Sequence, residues 1–196
     1  METVASRPAI VTKRSLPGDF AIWIFIYAEL LVFGIFFLSY AFTRARHVEL
    51  FNTYQRHLDR ESGAINTLVL ITSSYFVVMA VNAIRRGAAR RCSQWLLLAI
   101  LSGGVFVFIK LAEFSAKHAE NMTLSTNTFY MFYLSLTFFH FMHVFMGMVI
   151  LSVVAVKAYQ GAYSAQDHTG VETGASYWHM VDLVWIVLFP LVYVMH

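Results

Sequence analysis

Charged side chains are scarce in this sequence. They make up 13% of its 196 residues, about half of the roughly 25% typical of a soluble domain. Hydrophobic residues reach 59%, so the chain cannot cover a water-exposed surface in the usual way. This composition excludes a secreted disulfide scaffold, a nucleic-acid-binding domain and a soluble enzyme with its own large core. We predict an integral membrane protein and attribute the net charge of +3 to basic residues that flank membrane spans.

Cysteine is almost absent, because Cys92 is the only one. A single cysteine forms no internal disulfide, and it excludes CxxC redox motifs and thiolate clusters that hold metals. Cys92 is predicted to lie in a loop beside Arg90 and Arg91. The alternatives are an inert thiol and a reactive thiol activated by the two positive charges.

The N-terminal segment lacks an apolar run of signal-peptide length. Residues 1–18 are therefore expected to form a polar tail, and residues 19–196 a single membrane domain. The first hydrophobic segment is expected to stay in the protein as an anchor.

Long apolar stretches are what the sequence does contain. A helix that crosses a bilayer needs about 20 apolar residues, and five stretches qualify. The sequence therefore predicts an all-α bundle of five transmembrane helices. Their predicted bounds are Phe20–Phe42, Ile65–Ile84, Gln94–Phe114, Thr128–Val156 and Tyr177–Val194.

The distribution of basic residues predicts the orientation of the bundle. With the N-terminus inside, the inside segments carry eight Lys and Arg residues and the outside segments carry five. The short RRGAARR loop at residues 85–91 contributes most to this difference. The positive-inside rule then predicts the N-terminus inside and the C-terminus outside. Since the loops are short, no soluble catalytic domain is expected on either face.

Glu29 lies in the first apolar stretch, within IFIYAELLVFGIFF. A carboxyl group at the centre of a bilayer costs roughly 2.5 to 3.5 kcal/mol on insertion scales, so it requires a reason. Two interpretations stay open at this point. Glu29 is either a carboxylate that handles protons or faces a partner, or a structural acid hydrogen-bonded to a neighbouring helix.

Three polar pairs have the spacing i, i+3, which places both members on one face of a helix. They are Lys110 with Glu113, His140 with His143, and His179 with Asp182. Lys110 and Glu113 can neutralise each other near the outer end of the third span. We predict a structural ion pair there.

His140 and His143 lie near the middle of the fourth span. Neutral histidine is a ligand for haem or a metal ion, but a metal site needs three or four ligands. No HExxH motif is present, and His179 is predicted at a different depth. We therefore predict no metal site and favour histidines that hydrogen-bond between helices, with haem binding as the alternative.

His179 and Asp182 are placed near the inner end of the fifth span. Glu172, seven residues before His179, shares their face if the helix begins early. We predict that these three residues are structural and join the fifth helix to a neighbour by charge-assisted hydrogen bonds.

Several aromatic and small residues have simpler expected roles. Four aromatic residues are predicted near span ends, where they suit interfacial anchoring: Trp23, Trp95, Tyr177 and Trp178. Gly103 and Gly147 are predicted to allow close approach of helices.

The run HTGVETGASYWHMVDLVWIVLF resembles the last helix of cytochrome c oxidase subunit III. That family shows a His-x-Gly-x-Glu stretch and then Tyr-Trp-His-x-Val-Asp-x-Val-Trp. The matching residues here are His168, Gly170, Glu172, Tyr177, Trp178, His179, Val181, Asp182, Val184 and Trp185.

Earlier segments are similar to the family in the same order, and the resemblance covers roughly residues 16–193. Glu29 falls at the family's intramembrane carboxylate. Asn66 and Thr67 resemble the opening of the next helix. FFHFMHVFMG, which contains His140 and His143, resembles a stretch with two histidines.

The sequence also departs from this pattern. Mitochondrial-type members have seven helices, and the first two are missing here. Phe139 and Phe141 replace glycines that flank the first histidine. The ending Phe189-Pro190-Leu191 looks like the small five-helix NorE type of protein associated with nitric oxide reductases. Quinol oxidase subunits III also have five helices.

The resemblance implies an accessory subunit with no haem or copper of its own and no catalytic residue. It implies a position against the catalytic subunit of a haem–copper oxidase or nitric oxide reductase in the bacterial inner membrane. It also implies bound phospholipid and a role in proton uptake, assembly or protection of the catalytic subunit. Two other classes stay open: a haem-binding cytochrome that uses His140 or His143, and a membrane metal-dependent oxidase or desaturase.

Overall fold

A computed structural model describes residues 18–195. Within them the chain is all helical, with no strand. The helices are α1 (Phe20–Arg46), α2 (Val48–Gln55), α3 (Arg60–Arg85), α4 (Ala89–Ala119), α5 (Thr128–Tyr159) and α6 (Thr169–Phe189), followed by a π-helical turn, Pro190–Val194. The predicted polar tail lies outside the described residues except for Gly18.

Five of these helices are long and apolar enough to cross a membrane, which confirms the all-α membrane fold. Each extends beyond its predicted bounds because the polar residues at its ends continue the helix outside the apolar stretch. The short helix α2 was not predicted. It has eight residues and mixed polarity, and it buries Phe51 and Gln55.

Side-chain caps fix where three of the long helices begin. Asp19 accepts a hydrogen bond from the Ala21 N–H, and Asn127 accepts one from the Tyr130 N–H. Asp59 accepts from the backbone N–H groups of Glu61 and Ser62, and also from the Ser62 hydroxyl. The Ser62 hydrogen bonds lower the pKa of Asp59 below its usual value. These carboxylate and amide oxygens pair donors that a helix leaves open in its first turn.

Helix α4 packs between α3 and α5, and α6 packs against both α3 and α5. Helix α1 lies at the periphery, with its main helix contact to α6. It buries only Ile26, Phe33 and Tyr40. Several other apolar side chains of α1, including Phe20, Leu31 and Leu38, are exposed and therefore available to lipid or to another protein.

His179 and Asp182 do not lie near the end of the fifth span or at a different depth from His140 and His143, because α6 begins at Thr169 and the Val181 carbonyl oxygen lies 3.0 Å from His140 Nε2. Two other sequence-based predictions were also wrong about position. Tyr177 and Trp178 do not lie at a span end, because α6 begins eight residues earlier, at Thr169; both are buried. A Cβ added to Gly103 or to Gly147 would lie 2.8 Å from Trp178, so these glycines make room for the indole. Cys92 is not in a loop, since it is buried within α4.

Candidate functional site

A closed polar cluster lies between α4, α5 and the π-helical turn. Lys110 Nζ lies 2.8 Å from Glu113 Oε2 and 2.5 Å from the Tyr193 hydroxyl. The Tyr193 and Tyr133 hydroxyls donate to Glu113 Oε1 at 2.8 and 2.5 Å. The Lys110 side chain is fully buried and that of Glu113 is 8% exposed. We call these four residues the lysine cluster.

The π-helical turn places Tyr193 in the lysine cluster. Pro190 has no N–H, so the regular hydrogen-bond pattern of α6 is interrupted where the turn begins. Lys110 Nζ also lies 4.9 Å from the ring centres of Trp185 and Tyr193, where cation–π attraction adds to the ion pair. The ammonium group therefore has an anion, a hydroxyl and two aromatic faces around it.

A second polar contact joins α1 to α5 across an aromatic wall. His143 Nε2 lies 3.0 Å from Glu29 Oε2. The imidazole also lies edge-on to Phe33 and Phe139. The two polar side chains keep 12% and 19% of their surfaces exposed, so the pair lies at the edge of the bundle. We call it the carboxyl–imidazole pair.

The geometry of His143 determines how many protons the carboxyl–imidazole pair shares. Its Nδ1 lies 2.8 Å from the carbonyl oxygen of Phe139, and a carbonyl can only accept a hydrogen bond. Nδ1 therefore carries a hydrogen, and one proton joins Nε2 to Glu29 Oε2. That proton resides either on a neutral carboxylic acid or on an imidazolium, so a single transfer converts a neutral pair into an ion pair.

His140 has a different environment from His143, although only three residues separate them. Its Nε2 donates to the carbonyl oxygen of Val181 on α6 at 3.0 Å. The ring is fully buried beside Phe106 and Trp185. His140 thus contacts α6 and His143 contacts α1, and the two rings do not converge on one site.

His179 and Asp182 both face α3. His179 Nδ1 lies 3.2 Å from the Ser74 hydroxyl, and Asp182 lies beside the same hydroxyl. Trp185, one turn further along α6, donates from Nε1 to the Thr67 hydroxyl at 2.9 Å. One face of α6 therefore meets a row of hydroxyl groups on α3.

Glu172 is separate from His179 and Asp182 in its contacts. It lies 2.7 Å from Arg85 Nη2 at the end of α3 and 3.3 Å from His168 Nε2. It also accepts from the backbone N–H of Gly18. Glu172 thus joins α6 both to α3 and to the segment that leads into α1.

Sequence reasoning missed Tyr133, Tyr193 and Ser74. The i, i+3 rule finds partners on one helix, whereas these three residues reach the site from neighbouring helices. The only available signal was the presence of hydroxyl-bearing residues inside apolar spans, which does not name their partners.

The described residues contain no group of three or more His, Cys, Asp or Glu side chains arranged to hold a metal ion. Both nitrogens of His143 are hydrogen-bonded, and His140 is enclosed by aromatic rings. This arrangement joins helices to one another and can move one proton between Glu29 and His143.

Comparison with known proteins places the chain in a family. The family model described as "Cytochrome c oxidase subunit III" matches residues 10–196. The chain belongs to the cytochrome c oxidase subunit III family. Family membership makes it a non-catalytic accessory subunit of the haem–copper oxidase type. Its five spans and bacterial relatives make it a multi-pass protein of the bacterial membrane.

Three relatives show how much of subunit III is matched. Cytochrome c oxidase subunit 3 of Thermostichus vulcanus is 34% identical over 88% of this chain and 84% of that protein. The Synechocystis protein of the same name is 34% identical over 90% of this chain and 75% of its own length. Quinol oxidase subunit 3 of Bacillus subtilis is 28% identical over 88% and 84%.

Proposed function

We propose that this chain supports the proton supply and durability of the catalytic subunit of an oxygen-reducing haem–copper oxidase. The carboxyl–imidazole pair is the observation that carries the proposal. It holds one transferable proton inside an apolar helix bundle, and it is partly exposed at the periphery. A proton donor needs such access, because a fully enclosed group cannot exchange with a neighbouring protein.

The peripheral helix α1 provides the contact with the catalytic subunit in this proposal. It presents Leu31, Ile35 and Leu38 at its surface, each more than half exposed. An apolar face of this kind binds either lipid or an apolar partner. Glu29 lies on the opposite side of the same helix, towards His143, so in this proposal it reaches the partner only through its 19% exposed edge.

The proposal also names the class of enzyme to which the partner belongs. The relatives named as cytochrome c oxidase and quinol oxidase subunits favour an enzyme that reduces oxygen. The second candidate is a NorE-type partner of nitric oxide reductase, which is favoured by the Phe189-Pro190-Leu191 ending. Copurification of the tagged chain, followed by identification of the haem subunit that comes with it, separates the two.

We propose the orientation with the N-terminus inside and the C-terminus outside, based on the positive-inside rule. It places the α4–α5 loop outside and the α5–α6 loop inside. Ser125→Cys and Ala162→Cys introduce thiols into these two loops, while the native Cys92 is buried. A membrane-impermeant maleimide should label intact cells at position 125 only, and labelling only at position 162 would reverse the orientation.

We further propose that Glu172, His179 and Asp182 are structural, since their contacts lead to α3. Asp182→Asn should lower the assembly or stability of the subunit and leave the spectrum of the catalytic haems unchanged. A loss of turnover in a stably assembled complex would contradict this role. We also propose that the bundle binds phospholipid, since it exposes wide apolar faces.

The test of the main proposal compares the oxidase with this chain, without it, and with Glu29→Gln. Removal of the chain should lower turnover without abolishing it, and Glu29→Gln should reproduce most of the loss. Glu49→Gln, in the short helix α2 outside the five spans, is the matched control and should behave as the wild type. Complete loss of redox activity in a correctly assembled, fully metallated partner would overturn the proposal.

A further inference from the structure

A cavity of 590 Å³ lies at the turn between α3 and α4, away from the lysine cluster and the carboxyl–imidazole pair. Arg86 and Arg91 line it together with the amide side chains of Asn82 and Gln94. Met79, Trp95 and Leu98 supply apolar surface on the side of the membrane spans. The cavity therefore has a basic, hydrogen-bonding rim and an apolar wall.

The two arginines have no anionic partner within residues 18–195. Glu172 pairs with the neighbouring arginine, Arg85, instead. The other ion pairs of the described chain use Lys110, Lys117, His143 and His168. A guanidinium group presents several N–H donors in a planar fork that matches a phosphate group. Two unpaired guanidinium groups on one cavity thus form a receptor for a phosphate anion.

The apolar wall indicates which kind of phosphate compound fits. Trp95 stacks on Phe76 at a centroid distance of 5.8 Å, which holds the indole in place beside the cavity. Leu98 is exposed and lies one turn of α4 further into the apolar span. A free phosphate ion would use the arginines only, whereas a phospholipid would use both the basic rim and the apolar wall.

We propose that the cavity at the α3–α4 turn binds the headgroup of an anionic phospholipid. The phosphodiester lies against Arg86 and Arg91, the amides of Asn82 and Gln94 hydrogen-bond to the polar headgroup, and one acyl chain follows Met79 and Leu98. Basic pockets between transmembrane helices are known sites for anionic lipids. This inference rests on the phospholipid binding proposed above and names its site and headgroup charge, and it does not depend on the carboxyl–imidazole pair or on the partner of the oxidase complex.

The test is native mass spectrometry of the full chain, purified in detergent and titrated with phosphatidylglycerol or phosphatidylcholine. The wild type should bind one phosphatidylglycerol more tightly than phosphatidylcholine. The double variant Arg86→Gln/Arg91→Gln should weaken that binding about 30-fold, the effect of two surface basic residues. Arg90→Gln/Lys157→Gln removes two positive charges from the same end of the bundle outside the cavity and should bind like the wild type.

Three outcomes would overturn the proposal. Equal weakening in both double variants would show only a general attraction of anionic lipid to a basic surface. Equal binding of phosphatidylcholine would remove the requirement for a negative headgroup. Full displacement of the lipid by millimolar inorganic phosphate would show a site for free phosphate. Thermal unfolding of each variant, measured without lipid, excludes loss of fold as the cause of lost binding.

Discussion

Lys110 and Glu29 are both ionisable residues inside apolar helices, yet their surroundings differ. Lys110 is fully buried and touches an anion, a hydroxyl and two aromatic rings. Among residues 18–195 Glu29 has a single hydrogen-bonding partner, His143, and it lies at the exposed edge of the bundle. The first arrangement fixes its protons through many contacts, and the second leaves one proton free to move along one hydrogen bond.

This difference predicts which of the two sites contributes more to the stability of the bundle and which contributes more to its function. Burial of a charge is tolerated only where its partners replace the lost hydration, so the lysine cluster should determine whether the bundle folds. A hydrogen bond to a single partner contributes less to the free energy of unfolding, but it allows the proton to exchange. The carboxyl–imidazole pair should therefore matter for activity more than for folding.

The largest expected effect comes from removing the anion of the lysine cluster. Glu113→Gln keeps the shape of the side chain and leaves Lys110 as an unpaired buried charge. Loss of one partner of a buried ion pair costs about 3–5 kcal/mol, which should appear in the free energy of unfolding measured by titration with a denaturing detergent.

The same helix provides the control for Glu113. Lys117 and Glu120 have the same spacing and the same 2.8 Å distance, but Glu120 is 52% exposed. Glu120→Gln should cost less than about 1 kcal/mol. Lys110→Met/Glu113→Gln should recover at least half of the lost stability, because it also removes the unpaired charge. A double variant as unstable as Glu113→Gln would show that the charge is not the cause.

The next effect concerns the hydroxyl that links lysine to glutamate. Tyr193→Phe removes an acceptor for Lys110 and a donor to Glu113 while the ring stays in place. Leaving such buried groups unsatisfied costs about 1–3 kcal/mol. Tyr159→Phe, on an exposed tyrosine of α5, should be neutral in the same unfolding experiment. Equal stability of the two variants would show that the Tyr193 hydroxyl does not stabilise the lysine cluster.

The sequence predicts the five spans better than it predicts the contacts of the lysine cluster. Hydropathy finds all five spans because length and composition are local properties. The Lys110–Glu113 contact is also predictable, since three residues on one helix have fixed geometry. Tyr133 and Tyr193 could not be predicted as its partners, because their approach depends on how α5 and the π-helical turn pack against α4.

The histidines show the same limit. Their spacing places His140 and His143 on neighbouring positions of α5, yet one contacts the α6 backbone and the other contacts Glu29 on α1. Helix packing decides which neighbour each imidazole meets. Trp178 likewise lies in the core although its position in the apolar stretch resembles a span end, because polar residues from Thr169 onward extend α6.

A smaller stability effect is expected at the carboxyl–imidazole pair. Side-chain hydrogen bonds between membrane helices contribute about 0.6 kcal/mol on average. Glu29→Gln should therefore change the free energy of unfolding by less than about 1 kcal/mol, well below Glu113→Gln in the same experiment. A loss comparable with that of Glu113→Gln would make Glu29 a structural residue and would remove the contrast between the two regions.

The final prediction concerns the position of the shared proton and does not depend on any change in stability. Because Nδ1 of His143 is held by the Phe139 carbonyl, the shared proton lies between Nε2 and the Glu29 carboxyl group. Infrared spectra should contain a carboxylic acid band from the neutral form of the pair, and this band should be lost in Glu29→Gln. Asp182 is a second buried carboxyl group, so Asp182→Asn identifies its band separately. Glu113→Gln should leave the Glu29 band in place, because the Glu113 carboxyl group contacts Lys110 and two hydroxyls and is not part of the carboxyl–imidazole pair. If the band survives in Glu29→Gln and disappears in Glu113→Gln, the lysine cluster and not the carboxyl–imidazole pair contains the mobile proton.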